Sequence, residues 1–317
     1  STNNPFVATV NEEGIVTGKM VGKVIITVIS MENSEVYDSI EIEVTLPAPH
    51  NIKLSGNQEM MQGAHNKLDI EFEGNNICED VVWSSSDSRI AIVDKGIVLG
   101  VNKGNVTIYA KSIIDDTIYG SIDITITKYE ALKENEEDLK KVRDIISNMT
   151  LEEKIGQMFV VGFSGMSITS ELEKAIKEYH LGNVIYMGYN VSDYNEISNL
   201  SDSIQELMVA NNKIPAFISI DQEGGRVARL TKGGTHFISN MAMGATGDYQ
   251  NTYLEGKAMG FELRNYGINV DFAPVLDVNN NPENPIIGIR SYSDNPLLVS
   301  LYGKNMFLGL KESNVMG

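Results

Sequence analysis

Residues 8–30, ATVNEEGIVTGKMVGKVIITVIS, return with one residue deleted as residues 91–112, AIVDKGIVLGVNKGNVTIYAKS. Gly14 corresponds to Gly96, Gly18 to Gly100 and Gly22 to Gly104, while Val24, Ile26 and Val28 correspond to Val106, Ile108 and Ala110. A chain that repeats itself in this way builds the same small unit twice. Apolar residues two apart between glycine turns read as short antiparallel strands, so each copy is expected to be a small β-sandwich burying its own apolar face. Units of this kind serve as spacers or adhesive modules.

In the second copy the run VVWSSSDSRIAIV, residues 81–93, leads into the A-x-V strand, which G-x-V-x-G and then a G-x-x-x-I strand follow. In this order the segments resemble the bacterial immunoglobulin-like modules of surface and secreted proteins. The resemblance covers most of residues 51–127. It implies the C-terminal part of one module over residues 1–47, a complete immunoglobulin-like sandwich over 48–128, an extracellular or cell-surface location and association with the cell wall. Trp83, the only tryptophan, could be a carbohydrate platform, but a core position in the sandwich is the stronger reading.

The 317 residues suffice for two or three domains, and 42% hydrophobic with 21% charged residues is a globular composition. A net charge of -18 and a pI near 4.6 oppose binding to nucleic acid or anionic membrane, because the field repels phosphates. Neutral or cationic ligands are easier to hold. The single cysteine, Cys78, excludes an intramolecular disulfide and a cysteine-based zinc site. No run approaches the roughly 18–20 apolar residues of a membrane span, so no membrane insertion is expected. The chain starts at Ser1 with no initiator methionine and inside a module, so it is expected to be an excised piece whose export signal lay elsewhere.

Composition changes over residues 129–149, where helix formers with opposite charges at helical spacing predict a helical linker. Thr150 with Glu153 then forms a capping box that opens a helix. From there strand, loop and helix alternate: strands over 158–162, 183–187, 216–220 and 269–273, helices over 170–180, 193–210, 249–266 and 296–312. Alternation of this kind predicts right-handed βα units around a parallel sheet, either a barrel or a doubly wound sheet. No G-x-G-x-x-G or Walker motif follows the first strand, which weakens the nucleotide-binding version.

In a parallel α/β fold, ligands bind beyond the C-terminal strand ends, so the residues after each apolar run are the ones to collect. They are Asp221, Glu223 and Arg226 in AFISIDQEGGRVAR, residues 216–229, then Asp277 after VDFAPVL and Arg290 in IIGIRSYSD. Asp221 could accept hydrogen bonds from adjacent sugar hydroxyls, and Arg290 could hold a carboxylate, carbonyl or hydroxyl in its fork. Arg226 could do the same or brace Asp221. Glu223 reads rather as bracing, because the glycines turn the chain. Asp271 could cap the interior of the sheet from within its strand. Asp277 could instead hold the asparagine-rich loop 279–284 through Asx turns. His180 and His236 lack partners at metal spacing, and Ser164 in GFSG does not fit G-x-S-x-G. No metal or cofactor is expected.

The second half resembles glycoside hydrolase family 3, in particular its β-N-acetylhexosaminidase-like branch. The segments that carry the likeness are LEEKIGQMFVVGF (151–163), GNVIYMGYN (182–190), FISIDQEGGRVARL (217–230), MAMGAT (241–246) and GFELRNYGINVDFAPVLDVNNNPENPIIGIRSYSDNP (260–296). The likeness runs almost continuously from residue 150 to 317 and implies a (β/α)8 TIM-type barrel acting on terminal β-linked sugars of wall or chitin fragments. It places Asp221 on the substrate-binding aspartate of the D-x-E-G-G-R motif and Arg290 on the substrate-contacting arginine of G-x-R-S/A-[FY]. Glu223, Arg226 and Asp277 are then supporting residues.

The resemblance further implies a retaining double displacement with an aspartate nucleophile and a histidine–aspartate acid/base pair, the carboxylate-and-donor arrangement that an oxocarbenium-like transition state requires. The K-H-F-P-G-H-G loop that carries the histidine, and the nucleophile beyond it, are expected only after Gly317. Residues 141–317 supply 177 positions, against roughly 250 for such a barrel. A multidomain chain with a truncated barrel is therefore expected, with no catalytic residue of its own, no activity by itself and open barrel edges available for self-association. The competing reading is a non-catalytic surface or carbohydrate-binding protein; a β-glucosidase-type member of the family is a further alternative.

Overall fold

The repeat in sequence is a repeat of backbone. Ala8–Val10 pairs antiparallel with Val16–Gly18 just as Ala91–Asp94 pairs with Ile97–Gly100. Gly22–Ile29 then pairs antiparallel with Tyr37–Val44 as Gly104–Ser112 does with Tyr119–Thr127. Gly14 and Gly96 occupy the two hairpin turns at φ 82° and 79°, a conformation that a Cβ disfavours, which accounts for glycine at both places. These features come from a computed structural model that describes residues 1–129, 135–191 and 193–317.

The chain divides into two compact units, Ser1–Ala131 and Leu132–Gly317. In the first, the second copy of the repeat carries the larger core: Ile52, Leu68, Val98, Ile108, Ile124 and Ile126 are buried together, with Trp83 packed against them. Trp83 thus has the structural place that its strand context suggested. The first copy buries only Val7, Ala8 and Val24 in its cluster.

In the second unit, α1 (Glu136–Asn148) is capped by Asn135 and has no buried residue. The expected linker falls partly on residues 130–134, which lie outside the described residues. Thr150 and Glu153 close the capping box of α2 (Leu151–Gln157) as expected. There follow β1 (Val160–Gly162), α3 (Ser170–Tyr179), β2 (Asn183–Tyr186), α4 (Tyr194–Asn212) and β3 (Phe217–Ile220). The remaining elements are α5 (Asn240–Ala245), α6 (Gln250–Asn265), β4 (Val270–Asp271) and α7 (Pro296–Glu312).

The four strands form one parallel sheet in the order β1-β2-β3-β4, with Val160 opposite Asn183, Asn183 opposite Phe217 and Ser219 opposite Val270. Met316 continues this order through a parallel bridge to Val270. A doubly wound sheet reverses its strand order at a switch point, whereas here each strand adds on the same side of its predecessor. Among the described residues the four strands form an open sheet, and the closed (β/α)8 barrel that the resemblance implied is not seen. β1 stands at its edge, with Phe159, Val160 and Val161 exposed.

The core lies between the sheet and its helices. Ile197, Leu200, Ile204 and Met208 form the buried stripe of α4 against Val184, Ile218 and Ile220, the three-and-four spacing of a helix with one apolar face. At the N-terminal strand ends, asparagines lock the register: Asn183 Oδ1 accepts from Phe217 N–H, and Asn269 Oδ1 from Ile218 N–H. The charged groups collect at the opposite ends.

Candidate functional site

β3 runs buried through Ile218, Ser219 and Ile220 and emerges at Asp221. The chain then folds back sharply: Glu223 N–H donates to the Val227 carbonyl at 2.9 Å, and Gly225 N–H to the Phe237 carbonyl at 2.9 Å. Gly224 and Gly225 take φ values of 86° and 56°. A Cβ at Gly225 would also lie 2.7 Å from Ser239 Cα, so the glycine pair meets both a backbone and a space requirement.

This turn decides which arginine reaches which acid. Arg226 is carried to the exposed tip of the turn, and among the described residues Asp221 pairs with Arg229 instead, Nη2 to Oδ2 at 2.8 Å. The expectation that Arg226 could brace Asp221 is corrected accordingly. Sequence reasoning passed over Arg229 in that role; its place three residues beyond Arg226, on the return limb of the turn, is the one signal that could have found it. Arg229 N–H and Leu230 N–H both donate to Gln222 Oε1, which fixes that limb.

Glu223 is 6% exposed and binds Arg290 as a two-point fork, with Nε to Oε2 at 2.8 Å and Nη2 to Oε1 at 2.7 Å. Bidentate pairing fixes the plane of the guanidinium as well as its position. Arg290 closes the short 3-10 turn Gly288–Arg290, and its carbonyl is held by Asn240 Nδ2 at 2.7 Å. The Glu223 hydrogen bond is the main cause of its raised pKa, reinforced by Asp277 and Asp221. Arg290 and Asp221 therefore lie within electrostatic reach of each other at one strand-end rim.

Asp277 is exposed and acts on Arg290 through space. Among the described residues no hydrogen bond runs from its carboxylate into the following loop; Asn281 Oδ1 and Asn284 Oδ1 order it, by accepting from Glu283 and Ile286 N–H, while the Asp277 carbonyl accepts from the Ser291 hydroxyl. The Asx turns are thus present on other residues of the segment. Asp271 ends β4 fully buried beneath this rim.

The rim consists of two acid–arginine pairs, of which Asp221 and Arg229 keep side chains 25% and 31% exposed. A half-open carboxylate beside two oriented guanidiniums can accept hydrogen bonds from neighbouring hydroxyls and donate to ring or acyl oxygens, the mixture that a polyhydroxylated neutral ligand presents. Among the described residues no group of three His, Cys, Asp or Glu side chains could hold a metal ion, and no helix is long and apolar enough to cross a membrane.

A parallel α/β domain with its charged groups gathered at the C-terminal strand ends is the class that fold and rim define. Residues 150–317 match the Glycosyl hydrolase family 3 N terminal domain, and the chain belongs to glycoside hydrolase family 3. It is 42% identical over 143 residues to beta-hexosaminidase A of Pseudoalteromonas piscicida, covering 43% of this chain and 24% of that protein. It is 28% identical over 166 residues to beta-hexosaminidase LpqI of Mycobacterium tuberculosis, covering 52% of this chain and 40% of the relative. Among solved structures, the family 3 beta-N-acetylglucosaminidase of Paenibacillus sp. FPU-7 superposes with a TM-score of 0.52 at 41% identity, over 53% of this chain and 32% of that one. The chain thus spans less than half the length of each of these relatives.

Proposed function

We propose that this chain belongs to a retaining exo-glycosidase that releases terminal β-linked N-acetylglucosamine from cell-wall or chitin-type oligosaccharides. The observation that carries the reading is the rim itself: Asp221 and Arg290, each braced by its own counter-ion, face one strand-end surface. The names of the relatives support the choice of sugar. In this reading Asp221 and Arg290 contact the sugar, Arg229 and Glu223 hold them, and Arg226 and Asp277 contribute charge at the edge. In this reading residues 150–317 supply the sugar-holding groups. Residues 1–128 act as immunoglobulin-like spacer modules on an extracellular or surface-bound enzyme, a reading supported by the duplicated strand pattern.

The test is hydrolysis of p-nitrophenyl N-acetyl-β-D-glucosaminide by the protein carrying its whole family 3 region, with and without Asp221→Ala. Loss of two charge-assisted hydrogen bonds is expected to lower kcat/KM about 100-fold or more. Absence of hydrolysis in the unsubstituted protein, together with retained binding of chitin fragments, would replace the enzyme by a carbohydrate-binding protein.

A further inference from the structure

The two halves of the rim are tied together at Gln222, which no part of the sugar-holding role requires. Its backbone N–H donates to Asp271 Oδ1 at 2.9 Å, and its side-chain Oε1 accepts from Arg229 N–H at 2.8 Å and Leu230 N–H at 3.1 Å. Gln222 stands between Asp221 and Glu223 in the chain, so whatever fixes its amide fixes the departure of both acids from β3. Gln222 and Asp271 are both buried, at 1% and 0% exposure. Asp271 Oδ2 has no hydrogen-bond partner among the described residues.

A carboxylate held that deeply, without a cation and next to two other acids, is disfavoured in its charged form. Burial pushes the Asp271 carboxyl up to about 8; the Gln222 N–H opposes the shift, and Asp221 and Glu223 add to it. Those two acids face it from the loop after β3, while the segment on the other side of β4 brings Val315 and Met316, with no charge, and the Met316 carbonyl accepts Asp271 N–H. Near neutral pH an uncharged Asp271 can accept the Gln222 amide without opposing the charges of Asp221 and Glu223.

We propose that Asp271 is a positioning residue, which by accepting the Gln222 amide holds the 221–230 turn in the form that sets Arg229 on Asp221 and Glu223 on Arg290. The effect on sugar binding rests on the function proposed above, whereas the effect on the turn does not.

Amide hydrogen exchange of peptides spanning 221–230, corrected for intrinsic rates, tests the turn directly in the wild type, Asp271→Asn and Asp271→Leu, with β2 as internal reference. The Asn variant keeps the acceptor and is expected to protect the turn as the wild type does. The Leu variant is expected to lose protection tenfold or more there, with residues 183–186 unchanged. Should the Leu variant not fold, Asp271→Ala, which also lacks the acceptor, is expected to show the same loss of protection over 221–230. Equal protection of the turn in the Leu variant, or in the Ala variant where the Leu variant does not fold, overturns the proposal. In kinetics on the nitrophenyl substrate, Asp271→Leu is expected to raise KM tenfold with a smaller change in kcat, and Asp271→Asn to restore it. A wild-type protein without hydrolysis would remove the glycosidase reading and leave the exchange result to decide the role of Asp271.

Discussion

At the scale of single residues, the orientation of Arg290 depends on Glu223 more than on the acids that act through space. Glu223→Gln removes one charge and one acceptor of the fork. It is expected to raise KM on the nitrophenyl substrate about 10- to 100-fold, the cost of a lost charge-assisted hydrogen bond. Asp277→Asn, exposed and without a side-chain bond to Arg290, is expected to change KM by no more than about threefold. Steady-state kinetics on both variants checks the contrast, and equal effects would mean that the fork does not orient Arg290. A second residue-scale expectation concerns Glu255 on α6, whose two carboxyl oxygens are buried without partners among the described residues. Burial raises its pKa from 4.5 to about 7. The folded state therefore holds a proton that the unfolded chain has already lost between those values, so stability falls as pH rises through that window, by about 1.4 kcal/mol per pH unit at most. Tm measured from pH 5 to 8 is expected to decline less steeply in Glu255→Gln than in the wild type; parallel curves would place the titrating group elsewhere.

Helices α6 and α7 approach each other closely through glycines on both. A Cβ at Gly256 would run into the Met306 carbonyl, and one at Gly309 into the Tyr253 carbonyl and the Lys257 amide. These contacts involve backbone, which cannot step aside as a flexible side chain can. Gly309→Ala is expected to cost about 1–3 kcal/mol through overpacking. Gly188→Ala, with no atom within 4 Å of the added carbon, is the control and is expected to stay within about 0.5 kcal/mol. Thermal denaturation of the two variants checks this; equal stabilities would mean that the helices separate at little cost. Much at this scale was legible in sequence. The four strands and four longer helices fall close to where alternation predicts them, because a short apolar β-branched run and a helical period are local patterns. The exit of Asp221 and the presence of Arg290 were legible for the same reason. Which arginine pairs with Asp221 was not, because spacing alone does not say that Gly224 and Gly225 both turn through positive φ and carry Arg226 outward. Nor was the amide link from Asp271 to Gln222, which joins residues 49 apart in sequence.

Over the whole molecule, the cores belong to different units. Ile124 is buried at 1% exposure in the β-strand cluster with Ile108 and Ile126, and Ile218 at 0% in the α/β cluster with Val184 and Ile220. A truncation in one cluster opens a cavity only among that cluster's neighbours. Ile124→Ala and Ile218→Ala are each expected to cost about 2–5 kcal/mol. Because separate cores give separate cooperative transitions in multidomain chains, each loss is expected in one transition only. In calorimetry Ile124→Ala should lower the transition of the β unit by about 8 °C or more, given some 4–8 °C per kcal/mol for a small domain, and leave the α/β transition in place. Ile218→Ala should do the reverse, and should also weaken any sugar binding, because Ile218 lies in the strand that delivers Asp221. Ile124→Ala should leave sugar binding unchanged below its own transition. If both variants moved both transitions together, the two units would be one cooperative structure, and the β repeats would support the rim instead of serving as spacers beside it.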